Sequence, residues 1–258
     1  MTNGSAKASG GQSSGDPASG SGAEKPDRAE TPTGISSDGA LVDQAGRPLG
    51  PRAIQTRQRI LEATVELLDE KPMRDLRVID IARRIGTSPA TFYQYFKDVE
   101  DVVLFLAREA SEQTPEIVDV IHGDWTGRAG HERARQLVEL VIRHWERYSP
   151  ILRVRNNASD EGDERFRKVR LRAMMPIVHV FVDEIQRAHE RAGEPGKAED
   201  DDSWQGGRVD PIAGATALTS VLERLAMYHT AIGQLGGTRE GLVETAATLI
   251  QTILTSRR

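Results

Sequence analysis

The stretch GTSPATFYQYFKD, Gly86 to Asp98, concentrates side chains that could recognise a polar partner: hydroxyls at Ser88, Thr91, Tyr93 and Tyr95, an amide at Gln94 and an ammonium at Lys97. Hydroxyls suit phosphate oxygens, and a glutamine can make paired bonds to adenine. Small residues such as Pro89 and Ala90 let a helix lie close against base edges. Aromatic residues are only 5% of the chain, yet four rings fall between Phe92 and Phe96. A helix of 3.6 residues per turn cannot send all of them the same way. Phe92 and Phe96 are four apart and share a face, so they can point inward, as Ile81 and Ile85 can. Tyr93, Gln94 and Tyr95 cannot all follow, and some of them must face out together with Pro89, Ala90 and Thr91.

Holding that stretch in place requires helices. TRQRILEATVELLDE puts Ile60, Leu61, Thr64, Val65, Leu67 and Leu68 on one broad amphipathic stripe, ended by Lys71-Pro72. RVIDIARRIG reads as a shorter second helix, with Ile81, Ala82 and Ile85 inward and Gly86 at its stop. Ser88-Pro89 then starts a brief third helix: the serine oxygen accepts an orphan amide, and proline fits the first helical position. Helix, glycine turn, short helix, with a small residue at Ala82 where the two helices come closest, is the helix-turn-helix pattern. DVEDVVLFLAREASEQ follows as a longer helix with Asp98 as N-cap, and Gly123 to Gly130 reads as a loop. Further helices are expected near 131–148, 150–158, 161–192, 210–234 and 238–256. Pro150 is expected to start a helix of its own, and Pro176 to kink the one that contains it. No alternating run of strand length occurs. The fold class is all-α, with about nine helices.

The first forty residues contain eight Gly and eight Ser and almost no large apolar side chain. Such a segment cannot bury enough surface to offset its ordering entropy, so a disordered tail is expected over 1–50. Gly193 to Gly207, GEPGKAEDDDSWQGG, reads as an exposed acidic linker. No secretory signal, membrane span or presequence is recognisable, and a cytoplasmic location is expected. The absence of cysteine excludes disulfides and thiolate chemistry. The chain carries a net charge of −5, unevenly spread. From Pro51 to Lys97, nine Lys/Arg stand against six Asp/Glu, a surplus of three that leaves −8 for the remainder. A modest anion-facing module on an acidic body fits that division.

IARRIGTSPATFYQYFKDVEDVVLFL resembles the DNA-binding half of the tetracycline-repressor (TetR) family of bacterial transcription regulators, over roughly Thr56 to Leu106. The resemblance implies a homodimer with a three-helix reader (51–97), followed by a larger helical body (98–258) that binds a small effector and pairs with its twin. It implies phosphate or base contacts from Thr91, Tyr93 and Tyr95 and a phosphate contact from Lys97, near the cap residue Ser88. Pro89, Ala90 and Gln94 occupy the sequence-reading positions. Two positions depart from the family pattern: Arg77 stands where Ser or Thr often caps the second helix, and Val99 where a Lys is common. Arg77 could restore the phosphate charge.

In the body, GLVETAATLIQTILTS places Leu242, Ala246, Leu249 and Ile253 at heptad-like spacing. With Leu218 and Leu222 on the preceding Ala- and Thr-rich helix, they are the expected dimer seam; the alternative is that both helices simply bury within one monomer. Effector candidates are His144, Trp145 and Tyr148, then Arg153, Arg155, Asn156 and Asn157, then Met174, Met175 and His179 around Pro176, then Met227, Tyr228 and His229. From these the expected pocket takes His144, Trp145, Tyr148, Asn156, Met175, His179 and Tyr228, and suits a mostly apolar ligand. Residues of this kind at helical spacing also read as plain core. The histidines form no metal-binding pattern, and neither metal nor cofactor is expected. No catalytic motif is present, which disfavours the alternative of a helical enzyme or carrier. The expected partners are double-stranded DNA, a second copy of the chain and a small effector, with no membrane.

Overall fold

The computed structural model describes residues 40–192 and 209–255. The expected linker at Gly193–Gly207 and the first 39 residues of the expected tail lie outside them. Among the described residues are nine α-helices: α1 Pro51–Glu70, α2 Val78–Arg84, α3 Pro89–Tyr93, α4 Val99–Ser111, α5 Pro115–Ile121, α6 Gly127–Asp160, α7 Glu164–Ala192, α8 Pro211–Tyr228 and α9 Arg239–Leu254. The all-α expectation holds.

The first three helices and α4 enclose one apolar core, in which Ile60, Ile81, Phe92, Phe96, Val102 and Val103 are fully buried. Ala82 is sealed where α2 meets its neighbours. Gly86 ends α2 with φ +68°, a left-handed conformation that any side chain with a Cβ adopts at a cost of about 1–2 kcal/mol. Arg59 donates to the Ile85 carbonyl at 2.6 Å, satisfying one of the orphan acceptors at that helix end. A buried Arg57 lies over the Phe105 and Phe96 rings, 4.0 and 5.0 Å from their centroids, tying α1 to α4 through cation–π contact. Burial lowers its pKa, opposed by the nearby Glu109 and Asp101 carboxylates.

Residues 40–50 differ from the expected tail. Val42 and Pro48 form an isolated antiparallel bridge, Asp43 holds Arg47, and Val42 is buried. Gln44 caps the end of α3: its backbone N–H donates to the Gln94 carbonyl and its Nε2 to the Tyr95 carbonyl, both at 2.9 Å. Leu49 packs on the reader core. Leu41, Val42, Pro48 and Leu49, flanking a short polar turn, give this piece the apolar surface that the upstream residues lack.

The body differs from expectation at three places. Pro150 does not start a helix: α6 runs unbroken through it for 34 residues. The hydrogen bond that proline removes costs a few kcal/mol. Deep burial of Ile142 and Trp145 before it and of Ile151 and Leu152 after it offsets that loss. The expected loop at Gly123–Gly130 shrinks, because Gly127 already begins α6, and α5 precedes it. A Cβ on Gly130 would fall 1.9 Å from the Trp125 carbonyl oxygen, so only glycine fits against the backbone of that residue. Finally, α8 stops at Tyr228 and yields to a 3-10 turn over Ala231–Leu235.

The two cores meet on α6. Ile151 and Ala158 join Phe166 and Val169 of α7 in the reader core, while Leu152 belongs to the body core. The reader core therefore does not end at residue 97. Ion pairs Arg153–Asp69 (3.3 Å) and Arg165–Glu100 (2.7 Å) add exposed links from α6 to α1 and from the start of α7 to α4. No helix of the described residues is long and apolar enough to cross a membrane.

Candidate functional site

Taking Phe92 as the inward direction on α3, Tyr93 lies about 100° away, Gln94 about 200°, Tyr95 about −60° and Phe96 about 40°. The structure follows this wheel. Phe92, Phe96 and Tyr95 are buried, Tyr95 with 6% of its surface exposed, whereas Tyr93 is 53% exposed and Gln94 is exposed. Tyr95 is therefore mainly a core residue, which corrects its expected place on the outward face. Ser88, Pro89, Ala90 and Lys97 are exposed and Thr91 half-buried. The Ser88 hydroxyl accepts the Thr91 N–H at 3.2 Å and lies 3.1 Å from the Thr91 hydroxyl, so it acts as the N-cap. Arg77 stands exposed at the N-terminus of α2, where its N–H donates to Asp80 at 3.1 Å. Hydrogen bonds from Lys71 and from the Arg77 N–H hold the Asp80 carboxyl below its usual range. From Gly86 to Lys97 there is no carboxylate. The outward surface of α3 and of the turn that follows it is thus small residues, one phenol, one amide and one ammonium.

The body holds a cavity of about 60 Å³ among α5, α6, α7 and α8. Ile117, Val141, Trp145, Leu152, Met174, Ile177 and Leu222 supply its apolar wall, and His144, Arg155, Thr219 and Glu223 its polar end. Arg155 is 4% exposed. Its Nε and Nη2 donate to Asn156 Oδ1 at 3.0 and 2.9 Å, and Nη2 lies 3.6 Å from Glu223. Asn156 Nδ2 donates to the other side of the network at Glu223 Oε1 (2.9 Å), and Arg170 donates to Glu223 Oε2 (2.7 Å). Burial pulls the Arg155 pKa down to about 10, opposed by Glu223. Burial also pulls His144 down to about 4, with Arg155 and Arg147 adding repulsion, so its imidazole is neutral near pH 7. Ile117 and His144 also line an outer groove of about 550 Å³ that includes Tyr148, Arg143 and Arg147.

Of the expected pocket residues, the structure brings His144 and Trp145 to the cavity, sets Asn156 behind Arg155 and leaves Tyr148 in the outer groove. Met175, His179 and Tyr228 point away and are exposed. Their neighbours one or two positions along, Met174, Ile177 and Ala226, take the inward places. Glu223 is the contributor missed in the sequence, although it is the first charged residue after twelve uncharged ones from Pro211 to Leu222.

The residues of the expected dimer seam divide between core and surface. Leu218, Leu222, Leu242 and Ala246 are sealed inside the body's own core, while Leu249 is 47% exposed and Ile253 half-buried. The outer face of α8 and α9 instead carries Ile212, Thr216, Ala217, Val221, Thr245, Thr248, Leu249 and Thr252. The hydroxyls of Thr216, Thr245, Thr248 and Thr252 each donate to the carbonyl four residues back. Those hydroxyls are satisfied within their own helices, which leaves a largely apolar outer surface, with the exposed Arg224 toward the end of α8.

Comparison with known proteins identifies the family. Residues 60–104 match the model for bacterial regulatory proteins of the tetR family, and residues 117–258 match the tetracyclin repressor-like C-terminal domain. The chain is 32% identical over 73 residues to the helix-turn-helix-type transcriptional regulator YvdT of Bacillus subtilis, a match covering 27% of this chain and 38% of that protein. Among solved structures, the fatty acid degradation regulator FadR from Bacillus halodurans superposes with a TM-score of 0.55 at 15% identity, covering 79% of this chain and 96% of its own. A protein from Saccharomonospora viridis solved in complex with choline gives 0.55 at 21% identity, covering 76% and 96%. At those identities the structural likeness establishes the fold.

Proposed function

The chain belongs to the tetracycline-repressor family of DNA-binding regulators, and from that premise we propose that it is a homodimeric repressor released from its operator by a small effector. The observation that carries this reading is the outward surface of α3 and the turn after it, where Tyr93, Gln94 and Lys97 stand clear of a core anchored by Phe92 and Phe96. Tyr93, Thr91, Lys97 and Arg77 hold phosphates and fix register. Pro89, Ala90 and Gln94 read base edges in the major groove. The largely apolar outer face of α8 and α9 pairs with its twin in a four-helix arrangement, setting two readers on one two-fold axis.

Coupling runs through α6. A ligand in the cavity touches Leu152 and Arg155, and the neighbouring residues Ile151, Val154 and Ala158 pack against the reader core. A shift of this segment moves α1 and α4, and with them the spacing of the two readers. Coupling free energies of such systems are about 1–3 kcal/mol.

The test is selection of bound duplexes from random DNA, followed by titration of the winning sequence. We expect a near-palindrome with half-sites separated by about 34–36 Å or somewhat more. Lys97→Ala should weaken binding to all sequences and reduce the salt slope by about one, while Gln94→Ala should change which bases are preferred. Failure to retain any duplex at low salt would sink the reading.

A further inference from the structure

Resting on the reading of the body as an effector domain, we infer that the cavity takes a small carboxylate whose anionic head is held by Arg155 and His144 and whose short apolar tail lies toward Trp145, Leu152 and Ile177. Three observations carry this. The first is the hydrogen-bond inventory of the polar end. Both Glu223 oxygens are already engaged, one by Asn156 and one by Arg170. Arg155 donates through Nε and Nη2, and its hydrogen bonds and ion pair among the described residues all run through those two nitrogens. What the protein leaves open at this end is a donor on a cation that lines the cavity, where a ligand acceptor can use it.

The second observation is charge. Two guanidinium groups, Arg155 and Arg170, share the single carboxylate Glu223, and the other partner of Arg170 is the exposed Asp160. A ligand anion would face the Arg155 guanidinium, whose one carboxylate partner lies 3.6 Å away and is held more closely, at 2.7 Å, by Arg170. His144 in its neutral form adds a ring N–H beside the same space, and Arg143 and Arg147 line the outer groove through which an anion would approach. Glu116 and Glu146 share that groove, and Glu146 is already paired with Arg239 and His229.

The third observation is size. A cavity of about 60 Å³ corresponds to roughly four to six water-sized groups, at about 10–15 Å³ each. A carboxylate with a tail of about one to three carbons matches that space, and longer chains would have to displace the His144–Ile117 partition.

Calorimetric titration of the full-length protein with butanoate, butanamide and butylammonium, three probes of nearly one shape, separates the possibilities. Butanoate should bind at least about tenfold more tightly than butanamide, because a charge-assisted hydrogen bond is about twice as strong as a neutral one, and butylammonium should give no heat. Arg155→Met should erase the preference for the acid over the amide, and His144→Phe should reduce it. The comparison of probes on the unaltered protein decides the matter even where Arg155→Met fails to fold. Equal binding of acid and amide, preference for the amine, or no binding by any probe would overturn the inference. Operator binding and its release by other compounds are scored separately, so the regulator reading can stand while the carboxylate falls.

Discussion

In the reader, the side chains proposed to work stand outside a filled core; in the body, they stand inside, around space that the core leaves open. Phe92, Phe96, Ile60 and Ile81 fill the reader completely, and Tyr93, Gln94 and Lys97 project from it. In the body, Trp145, Leu152 and Arg155 of α6 and Glu223 of α8 line space that stays open between them, with Arg155 and Glu223 paired at its polar end. Stability and function are therefore separable in the reader and entangled in the body. A change to the outer face of α3 should leave folding alone, whereas almost any change at the cavity alters packing, charge or both.

The largest expected effect tests the filled half. Phe96→Ala removes a fully buried ring that touches both Phe92 and Phe105 and lies under the Arg57 guanidinium. It should cost about 3–5 kcal/mol in urea denaturation. Because Ile151 and Phe166 share that core, the loss should appear in a single transition rather than as melting of the reader alone. A separate early transition would break the picture of one core running from reader into body.

A substitution of one kind made in both regions should have opposite signs. Ala82→Leu forces three carbons into the sealed contact of α2 and should destabilise by about 1–3 kcal/mol. Ala173→Leu grows into the cavity that Ala173 lines. It should cost nothing and can gain up to about 2 kcal/mol from newly buried carbons, while abolishing butanoate binding. Thermal and urea unfolding of the pair checks the signs. Comparable destabilisation at both positions would mean that the body is as tightly filled as the reader.

Much of the reader was legible in the sequence because its determinants are local. Ser88-Pro89 starts α3, Gly86 ends the turn, and a four-residue spacing puts two phenylalanines inward. Tyr95 was harder: on the wheel it falls only about 60° from Phe92, close enough for the core to take it. The body was legible as helices but not as surfaces. A 4-3-4 spacing of Leu242, Ala246, Leu249 and Ile253 marks a helix face without saying whether its own subunit or a second one covers it. The first two turned inward and Leu249 outward. At Met174 and Met175 the helix type was clear, but which of two adjacent residues meets the cavity depends on the rotation of α7 against α6 and α8. No local pattern encodes that rotation. Pro150 misled for a related reason: its local cost is real, and distant burial outweighs it.

The smallest expected effect concerns the joint between the arm at 40–50 and the reading helix. Gln44 donates twice to the end of α3, from its side chain to the Tyr95 carbonyl and from its backbone to the Gln94 carbonyl. Gln44→Ala deletes the first bond only. It should cost about 0.5–1.5 kcal/mol, toward the lower end because the bond is only part-buried and water can replace the donor. Gln44→Pro also deletes the backbone donor and should cost more than Gln44→Ala. Neither variant touches Phe92, Phe96 or Lys97, so salt dependence of duplex binding should stay unchanged while affinity falls modestly. The effect should centre on Gln94, whose carbonyl the arm holds, and hydrogen exchange at the Gln44 amide should report its opening. If both variants left stability and affinity untouched, the arm would be a passive lead-in to α1. The reader's outward face would then owe its geometry to the phenylalanine anchors alone, making its separation of core from working surface cleaner than proposed.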